Sequence, residues 1–165
     1  MCALSLTLVP AACLVVETDE GGEETSGGSA IVAASLQYGF CGGSCKTVIV
    51  IEGAELVATL RSRQDLTLLE NRGRLTARAR DDLDEIAADL ADRELRPRYG
   101  CPGCADGGIS SFELRVGDDV SAHQYDHERP PEVLAPLNKM VDDIVDALST
   151  CQSSPRVRVT SCTPR

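Results

Sequence analysis

Tryptophan is absent, and only five aromatic residues occur in 165: Phe40, Phe112, Tyr38, Tyr99 and Tyr125. Aromatic platforms for stacking bases or sugars are therefore not to be expected, and the core has to be built from Leu, Val, Ile and Ala. Lysine is nearly missing as well, since only Lys46 and Lys139 occur and the other fourteen bases are Arg. That skew reads as genome composition rather than a site. Sixteen basic residues stand against 26 acidic ones, a net charge of −10. This balance argues against nucleic acid and anionic membrane surfaces as partners, because both require a basic face. No uncharged apolar run reaches the ~20 residues that a membrane-spanning helix needs. What is present, 42% apolar and 25% charged residues, suits one domain around one core.

The first thirty residues have a separate character. MCALSLTLVPAA and the following Cys13-Leu14-Val15-Val16 are apolar, whereas the next segment, ETDEGGEETSGGSA, has no hydrophobe between Thr18 and Ser29. An apolar segment, small residues, a cysteine and a polar tether form the layout of a bacterial lipoprotein signal. In that layout the apolar part engages the export machinery, the Cys13 thiol takes the lipid, and the tether holds the domain off the bilayer. Pro10 departs from the usual pattern, which has Leu three residues before the cysteine. The absence of Lys and Arg ahead of the apolar stretch points to a start upstream of Met1. The competing reading is a buried apolar N-terminal strand. Export is preferred, because such a strand would lead into a charged tether with little to pack against. The expected organisation is a signal-like segment over 1–12, the lipidation cysteine and acidic tether over 13–29, a domain over 30–151 and a tail over 152–165.

Cysteine parity fits export. Of the eight cysteines, removal of Cys2 with the signal and lipidation of Cys13 leave six, in three local pairs: Cys41/Cys45, Cys101/Cys104 and Cys151/Cys162. Six cysteines allow fifteen connectivities. The local one is expected, and bridges crossed between 41 or 45 and 101 or 104 are the main rival. In a cytosolic chain the same count would point to metal or catalysis instead.

Ala30–Tyr38 starts apolar and β-branched, and Gly39-Phe40-Cys41-Gly42-Gly43-Ser44-Cys45 is a glycine-rich loop. Lys46–Ile51 is a strand by its β-branched content. Glu52-Gly53 turns it into Glu55–Arg61, and Leu66–Arg72 follows as a further strand. Thr76 caps a helix with Leu83, Ile86, Ala87 and Leu90 on one face, ending before Pro97. The acids Asp81, Asp82, Asp84 and Glu85 fill its solvated face and favour its N-terminus. After a second turn-rich loop from Cys101 to Gly108, Ile109–Val116 places Phe112, Leu114 and Val116 on one face. Gly117-Asp118-Asp119 returns it as Val120–His127. Pro130-Pro131 opens the last helix, striped by Leu134, Leu137, Val141, Ile144 and Leu148, with Pro136 in its first turn. Arg156–Thr160 is a short possible strand. The order predicts an α+β fold, a mainly antiparallel sheet with two helices packed on one face, stabilised by disulfides.

Cys101-Pro102-Gly103-Cys104 has three readings. Redox catalysis needs the first cysteine at a helix N-terminus, where the dipole lowers its pKa, but this motif follows a helix and precedes a strand. A four-thiolate zinc knuckle with Cys41 and Cys45 has acceptable spacing but sits poorly in an oxidising compartment. Structural disulfides remain the leading reading. His123 and His127 lie four residues apart, ~13 Å along a strand, too far to share a metal, and read as surface histidines. Neither lies in a nucleophile-elbow or HExxH context, so no Ser/His/Asp set can be singled out. The glycine pairs 42/43 and 107/108 lack the following Lys and the strand-to-helix setting of a phosphate loop. No catalytic residue, metal ligand or cofactor is indicated.

The run from Tyr38 through Gly43, the helix opened by Leu75-Thr76, YGCPGCADGG from Tyr99 and PPEVLAPLNKMVDDIVDAL from Pro130 resemble a group of small cysteine-containing bacterial lipoproteins. The layout over residues 31–149 is also similar to the emfourins, inhibitors of thermolysin-type (M4) metallopeptidases. The shared features are a Gly-Gly loop after the first strand, a helix ending before Pro, a Phe-x-Leu-x-Val strand, a Gly turn and a Pro-x-x-Leu-x-Pro-Leu helix. The resemblance implies a peptidase-binding role, with Gly42 and Gly43 in the matching loop. A thermolysin-type cleft binds extended backbone, so Gly39, Phe40, Gly42 and Gly43 form a reasonable insert, while mere turns between strands are the plain alternative. The expectation is a lipid-anchored, non-enzymatic binding module of the bacterial cell envelope with a protein partner. The competing class is a thiol-redox or zinc-binding envelope protein acting through Cys101/Cys104 with Cys41/Cys45.

Overall fold

The structure, a computed structural model, describes residues 28–38, 45–102, 104 and 108–164. Cys13, the signal-like segment and the loop Gly39–Ser44 lie outside those residues. Among the described residues eight strands form one sheet: β1 (Ser29–Gln37), β2 (Lys46–Glu52), β3 (Glu55–Arg61), β4 (Thr67–Leu75), β5 (Arg98–Tyr99), β6 (Ile109–Val116), β7 (Asp119–Asp126) and β8 (Val157–Ser161). Their spatial order is β5-β7-β6-β1-β2-β3-β4-β8. Every pairing is antiparallel except β5 with β7. Helix α1 (Ala77–Ala91) follows β4, and α2 (Ala135–Thr150), entered through a 3-10 turn at Glu132–Leu134, follows β7. The fold is α+β.

Period-two alternation builds the centre of the sheet. Thr47, Ile49 and Ile51 of β2 and Leu56, Ala58 and Leu60 of β3 are buried, while Val50 between them is exposed. Gly53, at φ +59°, occupies the first position of the two-residue turn that keeps Glu52 opposite Glu55. The same alternation continues through Phe112 and Leu114 of β6. Val116 keeps that parity but is 44% exposed, because it lies at the hairpin tip, beyond the reach of the core.

Buried helix and sheet residues share one hydrophobic cluster. Ala79, Leu83, Ala87 and Leu90 come from α1, and Leu137, Met140, Val141, Ile144, Ala147 and Leu148 from α2. Removing a fully buried Leu or Ile side chain from water contributes about 1.5–3 kcal/mol. Thr76 caps α1 by accepting the Ala79 amide at 3.3 Å and donates its hydroxyl to Pro155 O at 3.0 Å. The acids do not serve the helix N-terminus as expected. The first turn is Ala-Arg-Ala-Arg, and Asp81 begins the second turn, where the dipole has little hold. Pro136 sits in the first turn of α2, where a missing N–H costs nothing.

The chain after α2 is tied back firmly. Cys151 ends the helix in the left-handed region (φ 56°) and is bonded to Cys162, with Cα atoms 5.5 Å apart. Between them β8 pairs with β4 and buries Val157 completely in the core. Asn71, fully buried in β4, donates to Leu148 O at 2.7 Å and accepts the Thr163 amide at 2.9 Å.

The strand registers give the sheet two distinct ends. Ser29, where β1 begins, pairs with Val116 beside the two tight hairpin turns. Gln37, where β1 stops, pairs with Lys46 and Ile109 at the other end.

Candidate functional site

Both glycine- and cysteine-rich loops emerge from the Gln37 end. The first is closed at its base: the Tyr38 amide donates to Cys45 O at 2.9 Å, and the Cys45 amide to Arg61 O at 2.8 Å. The loop therefore leaves from and returns to adjoining strands held in register. Gly39, Phe40, Cys41, Gly42 and Gly43, which the sequence nominates for partner contact, lie outside the described residues. Cys45 is 5% exposed and disulfide-bonded. The other described cysteines pair among themselves, so its partner also lies outside the described residues.

The second loop is stapled within itself. Cys101 and Cys104 are bonded, with Cα atoms 5.4 Å apart, and the Cys104 amide donates to Cys101 O at 3.0 Å. This local pairing differs from the crossed connectivity through Cys101 or Cys104, and a four-thiolate zinc site would require it to open. Both cysteines are exposed, and a strand rather than a helix follows, so no helix dipole acts on either sulfur. The loop rejoins the sheet at Gly108, where a Cβ would stand 3.0 Å from Gln37 O and from the Tyr38 ring. Its φ of +86° and this close approach both require glycine. Gly108 thus sets the base of one loop against the base of the other.

Two histidines tie neighbouring elements together, His123 at mid-sheet and His127 at this end, and neither is the surface residue that the sequence led one to expect. His123 is 5% exposed and stacks on Phe112 with centroids 5.0 Å apart. Its Nδ1 lies 2.9 Å from Arg96 O and its Nε2 2.8 Å from Ser121 Oγ. A carbonyl can only accept, so Nδ1 carries the proton and Nε2 accepts from Ser121 when the ring is neutral. Both nitrogens being satisfied, the ring can be buried. It fixes the segment that leads to β5, where the Gln124 amide donates to Pro97 O at 3.0 Å.

His127 joins elements that sequence spacing could not connect. Its Nδ1 is 2.9 Å from Ser110 Oγ, and its Nε2 is 3.7 Å from Asp142 Oδ1. Asn138 donates to Asp142 Oδ2 at 3.2 Å. The Tyr38 ring meets the imidazole edge-on, with centroids 6.1 Å apart. Burial raises the Asp142 carboxyl above its ordinary range, opposed by the nearby His127. Burial likewise pushes the Tyr125 hydroxyl, hydrogen-bonded to Ser110, up to about 12. A Ser–His–Asp set has the elements of nucleophilic catalysis, but here Ser110 is 1% exposed and its hydroxyl is engaged by Tyr125 as well as His127. A substrate carbonyl has no approach to that oxygen. The network clamps α2 and the turn after β7 to the start of β6, close to both loop bases.

The turn between β3 and β4 completes this end. Ser62 and Leu66 close it, with the Ser62 amide donating to Leu66 O at 2.9 Å. Arg61 Nη1 reaches Asp65 Oδ2 at 3.2 Å. An open depression of about 840 Å³ lies among Gln37, Tyr38, Cys45, Lys46, Ser62, Arg63 and Asp65. Among the described residues no group of three or more His, Cys, Asp or Glu is placed to hold a metal.

No protein-family model, curated protein or solved structure matches the chain.

Proposed function

We propose that this chain is an exported, lipid-anchored, non-enzymatic binding module of the bacterial cell envelope, which presents the Gly39–Gly43 loop to a protein partner. Its sharpest form is inhibition of a thermolysin-type metallopeptidase. The observation that carries the reading is the joint base of the two loops. Tyr38 and Cys45 are held in register, Gly108 is packed against Gln37 and Tyr38, and the second loop is closed within itself by the Cys101–Cys104 bond. A loop held at its base loses less conformational freedom on docking, which is how small rigid inhibitors reach high affinity. In the same reading both helices lie on the buried face of the sheet, leaving the opposite face and the loop end for the partner. Cys13 carries the lipid, and the chain enters the domain at Ser29, at the end away from the loops.

A thiol-redox role is the second reading, favoured only by the exposure of Cys101 and Cys104. One set of assays on the purified full chain separates the two: inhibition of an M4 peptidase, disulfide reductase activity and bound zinc. Inhibition without reductase activity or zinc is the expected result. Reductase activity lost in Cys101→Ser, or stoichiometric zinc, would replace the binding reading. The anchor is tested by radiolabelled fatty acid in growing cells, where label that persists in Cys13→Ser would refute it.

A further inference from the structure

The loop end gathers positive charge in a chain that is otherwise strongly acidic. Lys46 and Arg61 stand directly opposite each other in the β2–β3 register, and Arg63 follows two residues later. Like charges at directly paired positions oppose strand pairing. On the same two strands and the same face the pairs between are Val48–Thr59 and Val50–Val57, and the hairpin-turn end carries the acidic pair Glu52–Glu55, so the two ends of this face bear opposite charge. Among the described residues Asp65 alone forms an ion pair here, with Arg61 Nη1, while Arg61 Nε is buried without an acceptor. Among the described residues no ion pair engages Lys46 or Arg63. Both line the open depression beside the first loop. Lys46 also lines a second one, of about 380 Å³, which continues over the small residues Ala33, Ser35 and Ser111 on the open face and ends at Glu113, opposite Ala33.

We propose that this patch seats an acidic, extended segment of a protein partner, with its carboxylates on Lys46, Arg61 and Arg63 and its backbone laid over Ala33, Ser35 and Ser111. The inference rests on the binding reading above and supplies the partner's chemistry. Directly opposed residues on paired strands lie ~5 Å apart, and alternate side chains of an extended peptide recur every ~7 Å. A Glu-x-Glu segment can therefore meet two of these cations at once, and small residues beneath it admit a backbone closely. An anionic membrane is the poorer fit. At a net charge of −10 the chain as a whole is repelled by an anionic surface, and Ser29, where the anchored chain would enter, lies a strand length of roughly 26 Å from Lys46.

The test uses the full chain and a fluorescent peptide alternating Glu with small residues, with a Gln-for-Glu peptide as control, read by anisotropy at low and high salt. The Glu peptide should bind at least tenfold more tightly than the control and weaken as salt rises. The double change Lys46→Gln/Arg63→Gln should cost about tenfold with an unchanged melting temperature. Equal binding of the two peptides, or no loss in the double variant, would overturn the proposal. So would inorganic phosphate or phosphatidylglycerol vesicles engaging the patch as well as the peptide does. Binding that appears only after Glu17, Asp19 and Glu20 are changed to Gln would assign the patch to the chain's own acidic segment and refute an external partner. A chain that binds the Glu peptide but inhibits no peptidase keeps this inference and loses the inhibitor reading. One that inhibits but ignores the peptide does the reverse.

Discussion

Asn71→Ala tests how the C-terminal part of the chain is held. Asn71 is fully buried and joins three segments: β4 through its own backbone, the end of α2 through Leu148 O at 2.7 Å, and the residue after Cys162 through the Thr163 amide at 2.9 Å. Truncation removes these bonds, and a longer one from Nδ2 to Thr163 O at 3.4 Å, without filling the space. The Leu148 carbonyl lies in the last turn of α2, among the acceptors that helix geometry leaves unpaired, and Leu148 is 1% exposed. A buried acceptor left without a donor costs ~1–3 kcal/mol. Thr163 is exposed, so its amide regains water, and the second bond counts for about 1 kcal/mol. The expected loss is about 3 kcal/mol, a large share of the ~5–15 kcal/mol that holds a domain together. For a domain of this size the melting temperature should fall by roughly 10 °C. Urea titration gives the free energy, and hydrogen exchange at the β8 amides shows whether the loss is local. Asn71→Asp should be no better once its carboxyl ionises, since a carboxylate would face the Leu148 carbonyl with no proton to donate. A loss below about 1 kcal/mol with β8 exchange unchanged would refute the reasoning.

The Cys151–Cys162 bond should be the second fastening of the same region. Replacing both cysteines by Ser should cost about 3 kcal/mol, the loop-closure entropy of a short ring, and urea melts with and without reductant check it. Burial that raises the Tyr125 hydroxyl to about 12 has a definite sign. The unfolded chain ionises this tyrosine near pH ~10 and the folded one does not. The stability that this difference contributes is therefore complete below that pH and is lost as pH rises through the folded value. Ultraviolet titration at alkaline pH should show one tyrosine ionising later than the others, and Tyr125→Phe should remove that late step.

The parts legible in the sequence are those encoded over short windows. The alternation of β2 and β3, the Gly53 turn, the Thr76 cap and the stripe of α2 each arise from a few neighbouring residues. The missing parts depend on distant partners. β5 is a two-residue strand made by Pro97 O meeting Gln124, which no local propensity signals. The burial of His123 is not encoded in its spacing, because it depends on Arg96 O and on the Ser121 hydroxyl, which satisfy the two ring nitrogens. Ser110, His127 and Asp142 come from β6, the turn after β7 and α2, so no spacing rule could unite them. At the candidate site the flanking residues Tyr38, Cys45 and Gly108 were legible as loop boundaries. Their mutual packing was not, because it is fixed by the β1–β6 register.

The central claim is that the first loop, held at its base by the sheet, is the surface that binds a protein. Titration of a thermolysin-type peptidase with the full chain, and with Gly42→Leu/Gly43→Leu, tests it most directly. Near-stoichiometric inhibition by the parent chain is predicted, together with at least a tenfold weaker inhibition constant in the variant and an unchanged thermal transition. Equal inhibition by parent and variant, or no inhibition by either, would contradict the account.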